Sequence, residues 1–251
     1  MRSETVAPRT DTIEFRLASA TSFERLLESR PGRISEPFGL KTSEPVGGRL
    51  GQKWDGVKRN LPHEADALAR CRVNEADCSA AAKRFLAIVQ KAAVREGWSR
   101  IAEVNRAINL SIRPVDDATQ YGVRDRWASP LMTFASAAGD CEDIAIAKYV
   151  ALREIGIDDD DLRLVIVHDR MASEDHAVTA VRFEDQWLIL DNKRSDIRRD
   201  LSFEAFDPLF VIDGSSVRKA ERPSVAPQAP WIDARIAKPF STGSNVVPDL
   251  A

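Results

Sequence analysis

The stretch Gly139-Asp140-Cys141-Glu142-Asp143, running on through Ile144-Ala145-Ile146-Ala147-Lys148-Tyr149-Val150-Ala151-Leu152-Arg153-Glu154-Ile155-Gly156, decides how the rest of the chain is read. Ile144, Ala147, Tyr149, Val150 and Ile155 recur at helical spacing and Gly156 supplies a stop, which predicts a helix here. Cys141 then stands at the helix N-terminus. There the unpaired N–H groups and the positive end of the dipole favour a thiolate, the species that attacks a carbonyl carbon.

A nucleophile also needs a base that takes its proton and returns it to the leaving group. Downstream, Leu162 to Val167 (LRLVIV) is short and β-branched, as a buried strand is. A second run opens at His176 (HAVTAVRF), Glu184-Asp185-Gln186 turns the chain, and Trp187 to Asp191 (WLILD) returns, which reads as a β-hairpin. With Glu184 and Asp185 centring the turn, position 178 faces position 191. His176 shares the face of Val178 because side chains alternate, so His176 and Asp191 become diagonal neighbours within reach of each other. This is the arrangement of a Cys-His-Asp triad: Asp191 orients the imidazole of His176 through one ring nitrogen while the other faces the sulfur of Cys141. A one-residue slip in the register would turn one of the two side chains to the opposite face.

Plainer readings compete. A cysteine ahead of a helix is most often a small buried hydrophobe, and Asp191 beside Asn192 and Lys193 suits an ordinary strand-end turn. The order helix, strand, strand, with polar residues at the ends, favours the triad. His168 also ends a strand, but among Asp169, Arg170 and Met171 a structural role fits it better, and His63, after Pro62, has no nucleophile near it in sequence. For an oxyanion, the backbone N–H of Cys141 is the default donor. Gln120, Asn105 and Trp127 all carry donors suited to a second position; Trp127 is equally well explained as packing, and no spacing rule selects among them.

The 251 residues are 43% hydrophobic, enough for a substantial core, although the useful length is shorter. Residues 1–48 hold scattered Arg, Ser, Gly and Pro with little periodicity and read as poorly structured. Residues 214–251, with Pro223, Pro227, Pro230, Pro239 and Pro248, read as a disordered tail. One domain, 49–213, remains. Its first half is helical in pattern over Leu50 to Ala69, Ser79 to Glu96 and Ser99 to Leu110; its second half is the Cys141 helix with three or four strands ending at Leu209 to Ile212. A net charge of −3 and the lack of a basic stripe with interleaved aromatics argue against a nucleic-acid partner. No stretch is long or apolar enough to span a membrane. Met1 to Ser22 shows no apolar core of secretory-signal length. Cys71 and Cys78 either close a small disulfide loop between two helices, the preferred reading, or sit reduced in helix caps.

The segments Gly139 to Asp143, His176-Ala177-Val178 and Leu190-Asp191-Asn192 resemble the bacterial transglutaminase-like cysteine proteinases, the group that includes the LapG-type periplasmic proteases. Val104 to Asn109 and Asp125 to Pro130 follow the same layout, so the resemblance covers roughly residues 50 to 212. It implies an α+β, papain-like or transglutaminase-like fold, with a helical N-terminal half and the catalytic helix packed on a small antiparallel sheet. The activity implied is that of a thiol endopeptidase, with Cys141 as nucleophile, His176 as general base and acid, and Asp191 as the orienting carboxylate. Calcium is implied too, held by acidic residues beside the nucleophile; Asp140, Glu142 and Asp143 stand there and offer the hard oxygens such an ion prefers. Acidic residues also suit the first turn of any helix. Three carboxylates around a thiolate would raise its pKa unless a cation offsets them or they point away. The resemblance further implies a periplasmic location, despite the signal-poor start, and a large surface adhesin as substrate, cut to release a biofilm cell. A cyclic-di-GMP-responsive inner-membrane receptor is the implied partner. Two alternatives keep the fold: acyl transfer to an amine, as in a transglutaminase or amidase, and a non-catalytic binding module.

Overall fold

The computed structural model describes residues 36–221. The chain enters through β1 (Lys41–Pro45) and continues as three helices, α1 (Arg49–Val73), α2 (Ala80–Ala93) and α3 (Ser99–Ser111), close to the bounds expected from periodicity. Each begins or packs for a local reason. The Ser79 hydroxyl caps α2 by accepting from the N–H of Ala82 at 3.1 Å, and Ala81, Ala82, Phe85, Leu86, Ile88, Val89 and Ala92 form its buried stripe. Two short helices that periodicity does not announce follow, α4 (Asp117–Tyr121) and α5 (Pro130–Ser136), the second opened by a proline at its first turn.

The Cys141 helix, α4 and α5 having been passed, is α6 (Cys141–Glu154), and every residue from Asp143 to Leu152 is buried. It is covered on several sides at once, because α2, α3 and α5 pack on it and β4 (Leu162–Asp169) and β5 (Glu174–Phe183) lie beneath. Such a helix needs no polar face.

The remaining strands are β6 (Gln186–Leu190), β7 (Arg198–Arg199), β8 (Phe206–Ile212) and β9 (Val217–Glu221). They build a seven-stranded antiparallel sheet of order β1-β9-β8-β4-β5-β6-β7. The fold is therefore α+β, with a sheet larger than the three or four strands expected. Secondary structure also extends past both expected limits of the domain, 49 and 213, because β1 and β9 pair with each other and β9 pairs with β8. Their sequences, KTSEP and VRKAE, are largely exposed, so no apolar alternation marks them; backbone pairing makes them strands. Residues 1–35 of the N-terminal segment and 222–251 of the tail lie outside the described residues. Apolar clusters line both faces of the sheet, the larger one under the helices and a smaller one around Val165, Val167, Val178, Trp187, Phe203 and Phe206.

Two details position the site. In the β5–β6 hairpin Glu184 and Asp185 both adopt left-handed φ, 49° and 60°, the twist-matched turn of a two-residue hairpin. Val181 then faces Leu188 and Thr179 faces Leu190, the register in which position 178 faces 191. The second detail is a parallel pair of two-residue strands, β2 (Arg113–Pro114) and β3 (Ala138–Gly139), which ties the approach to Cys141 to the end of α3. Cys71 and Cys78 are disulfide-bonded, closing the α1–α2 turn.

Candidate active site

Asp140 is the N-cap of α6, its carboxylate accepting from the N–H of Asp143 at 3.3 Å, so Cys141 is the first residue of the helix. Thr179 of β5 donates from Oγ1 to the carbonyl of Ala145 at 2.8 Å and fixes the helix on the sheet one turn below the sulfur. The backbone N–H of Ala177 reaches the sulfur of Cys141, which brings β5 against the helix start one residue after His176.

His176 and Asp191 meet as the hairpin register requires. Nε2 of His176 lies 2.8 Å from Oδ1 of Asp191, with side-chain exposures of 1% and 2%. The same Oδ1 accepts the N–H of Lys193 at 2.9 Å, and these two contacts hold the Asp191 carboxyl below the usual carboxylate range against the opposing effect of burial. Engagement of Nε2 leaves Nδ1 as the nitrogen available to a thiol. The imidazole edges against Phe206, ring centroids 6.1 Å apart. Asn109 holds the segment after the strand, donating from Nδ2 to the carbonyls of Asp191 and Arg194, both at 3.0 Å.

The thiol itself departs from the expectation. Among the described residues no hydrogen bond links it to His176; it donates instead to Oε2 of Glu142 at 2.9 Å. Burial pushes the Cys141 thiol up, and the neighbouring Glu142 charge pushes it further, against the weaker pull of the Ala177 N–H. The helix dipole does not make a resident thiolate here, because about half a unit charge spread over the helix end is outweighed by desolvation and a full charge alongside.

The three acidic residues proposed for calcium are each engaged separately. Asp140 caps the helix, Glu142 takes the thiol proton's hydrogen bond, and Asp143 turns inward, completely buried, to accept the N–H of Ala128 at 2.7 Å. Among the described residues no group of three Asp, Glu, His or Cys side chains converges closely enough to hold a metal ion. The charges nevertheless crowd. Burial, then Glu142, Asp143 and Asp117, push the Asp140 carboxyl up to about 8, and burial pushes Asp143 up to about 7. Asp117 belongs to this cluster and carries no motif signal: it sits on α4, accepts the N–H of Arg126, and hydrogen-bonds Asp140 carboxyl to carboxyl. Oδ1 of Asp117 and Oδ2 of Asp143 are buried without a hydrogen-bond partner among the described residues. An all-oxygen set with unsatisfied buried oxygens fits a hard cation in its chemistry, though the ligands are not gathered in this arrangement.

The remaining candidates separate cleanly. Asn105 is completely buried and spends its amide on the carbonyls of Arg194 and Ser195, at 3.5 and 3.4 Å. Gln120 donates to Tyr121 Oη at 2.7 Å and to the Ala138 carbonyl at 3.2 Å. Trp127 keeps a buried Nε1–H that has no hydrogen-bond partner among the described residues. His168 pairs at 3.0 Å with Asp175 at the exposed end of the β4–β5 hairpin, and His63 lies exposed on α1.

Residues 64–204 match the family model described as bacterial transglutaminase-like cysteine proteinase. No curated protein matches the chain. Among solved structures, Legionella pneumophila LapG superposes with a TM-score of 0.51 at 21% identity, over 62% of this chain and 86% of that one. Its calcium-bound form gives 0.52 at 20% identity, over 64% and 92%, and its EGTA-treated form 0.53 at 22%, over 64% and 87%. These likenesses concern the fold.

Proposed function

Because the chain belongs to the bacterial transglutaminase-like cysteine proteinases, and is therefore a cysteine protease, we propose that Cys141, His176 and Asp191 carry out its peptide-bond cleavage. The observation that carries this reading is the buried 2.8 Å contact between His176 Nε2 and Asp191, one residue along β5 from the N–H that touches the sulfur. With Asp191 holding Nε2–H, Nδ1 is the basic nitrogen. It takes the thiol proton as the sulfur attacks the scissile carbonyl carbon. The oxyanion is met by the Cys141 N–H, and Trp127 Nε1–H is the second donor we favour because its hydrogen bond is unspent. Collapse expels the amine, protonated from Nδ1; a water deprotonated by His176 then hydrolyses the thioester. The raised thiol pKa makes His176 a true general base, since little thiolate stands ready at neutral pH.

Calcium dependence is part of the proposal, with Asp140 and Glu142, joined by Asp117 and Asp143, as the holding residues. The ion, when bound, would supply positive charge that offsets the carboxylates beside the sulfur. The crowding of raised carboxyls there supports it, as does the calcium-bound form of the LapG structure. We also propose a periplasmic location, a large surface adhesin as substrate and a cyclic-di-GMP-responsive inner-membrane receptor as partner. The Cys71–Cys78 disulfide supports an oxidising compartment. Among the described residues no helix is long and apolar enough to cross a membrane.

The test is cleavage of a panel of unfolded and adhesin-derived polypeptides by wild type and Cys141→Ala, each with calcium and with EGTA. Cleavage lost in Cys141→Ala and in EGTA is the expected result. Cleavage that survives Cys141→Ala overturns the assignment, and release of ammonia from glutamine peptides without chain cleavage would install the acyl-transfer alternative.

A further inference from the structure

One charged side chain in the core has no part in the chemistry so far. Lys148 lies on α6 seven residues after Cys141, two turns along the same helix, and is completely buried. Positions 141, 145 and 148 face the β5–β6 side, since the carbonyl of Ala145 receives Thr179 and Nζ of Lys148 points to the carbonyl of Leu190 at 3.5 Å. That single long contact leaves the amine poorly satisfied. A leucine or methionine would fill the position without desolvating a charge, so the lysine costs stability where it stands.

What it faces explains the cost. Leu190 is the last residue of β6 and the next residue is Asp191. In the resting site His176 is neutral when it serves as a base, so the buried Asp191 charge needs a cation elsewhere. Among the described residues three lie within its field: Arg194, whose Nε is 4.0 Å from Oδ2 but whose side chain is 45% exposed; Lys193, whose Nζ is committed to Glu174 at 2.6 Å; and Lys148, which alone of the three is buried. From α3 the contact at this point is the neutral amide of Asn109 on the Asp191 carbonyl. Asp191 is in turn the charge that acts on the lysine; burial pushes the Lys148 amine down to about 7 and Asp191 pulls it up.

Building on the triad reading above, we infer that Lys148 is a positioning residue: its buried ammonium balances Asp191 from the helix side and ties the nucleophile's helix to the end of β6. Asp191 thereby stays an ionised acceptor for Nε2–H in the resting enzyme, which keeps Nδ1 free of its proton to serve as the base. One rigid helix then sets the position of both ends of the relay, the sulfur at its first residue and the counter-charge two turns on.

The experiment uses p-nitrophenyl acetate, a small activated ester that needs no recognition of a protein substrate, with Cys141→Ala as the zero. Lys148→Met removes the charge while keeping the volume, and Lys148→Arg keeps a charge that does not titrate. The expected result for Lys148→Met is a fall in kcat of about tenfold to a hundredfold, the worth of one charge-assisted hydrogen bond expressed as rate, with KM nearly unchanged. Its melting temperature should equal or exceed that of the wild type, which a packing role would not allow. A fall in kcat/KM on the alkaline side, as the Lys148 ammonium loses its proton, should be absent from both variants, with Lys148→Arg recovering kcat where it folds. Wild-type kcat in Lys148→Met, or a loss that follows a lowered melting temperature, overturns the inference. Ester turnover undiminished in Cys141→Ala would instead overturn the triad reading on which it rests.

Discussion

Gly139 is the position where a single methyl group tests the packing around Cys141. A Cβ built on it would lie 2.7 Å from Asp143 Oδ2 and 2.8 Å from Asp143 Cβ, closer than such atoms approach. The obstacle is not a flexible tip. Asp143 is completely buried, and its other oxygen receives the Ala128 N–H at 2.7 Å. Gly139→Ala must therefore push Asp143 aside or shift the Ala138–Gly139 strand that pairs with Arg113–Pro114. Overpacking of this kind costs about 1–3 kcal/mol. Weakening a buried hydrogen bond to a carboxylate adds roughly 1–2 kcal/mol. The expected total, about 2–5 kcal/mol, lowers the melting temperature by roughly 4–20 °C for a domain of this size. Because Asp140 and Cys141 follow directly, turnover at Cys141 should fall as well. Thermal melts and urea titrations measure the first effect, ester turnover the second. A variant within about 0.5 kcal/mol of wild type, the range of an ordinary surface change, would refute the reasoning that Gly139 is required by Asp143.

Asp191→Asn should retain the contact with His176 but reverse its sense, so kcat falls by roughly a thousandfold or more with little change in folding stability; near-normal turnover would remove Asp191 from the triad. Trp127→Phe keeps the ring packing and deletes Nε1–H, and if the indole serves the oxyanion, kcat should drop by about a hundredfold with KM held. Reducing the Cys71–Cys78 bond, which closes a loop of sequence separation 7, should cost about 2–3 kcal/mol by loop entropy, seen as a lower melting temperature in dithiothreitol. Lys148 supplies a pH test of stability. Its folded pKa, down near 7 from an ordinary 10.5, means the unfolded chain binds the extra proton between those values. Wild-type stability should then rise with pH across that window, the loss on lowering the pH being complete near 7, whereas Lys148→Met lacks the effect; its advantage in urea titrations should shrink from pH 6 to pH 10.

Much of this site was open to inspection in the linear chain because its parts are local. Apolar residues every three or four positions mark α2, α3 and α6, and the Glu184-Asp185 turn sets a hairpin register by counting, which alone suffices to bring His176 to Asp191. A period of two leaves no freedom once the turn is known. Other features depend on partners distant in sequence. Strands β1 and β9 lack any pattern of their own and exist because each offers the other a backbone edge. Asp117 joins the acidic cluster only when α4 folds against the start of α6, and the unspent donor of Trp127 emerges only after Gln120 and Asn105 have found their acceptors. The thiol marks the division most plainly. From sequence, the helix end argues for a thiolate; in the folded protein, burial and the Glu142 carboxylate reverse that preference. Residue order determines which groups are one turn or one strand apart, whereas desolvation and charge at short range are properties of the assembled interior, and these decide the protonation state of Cys141.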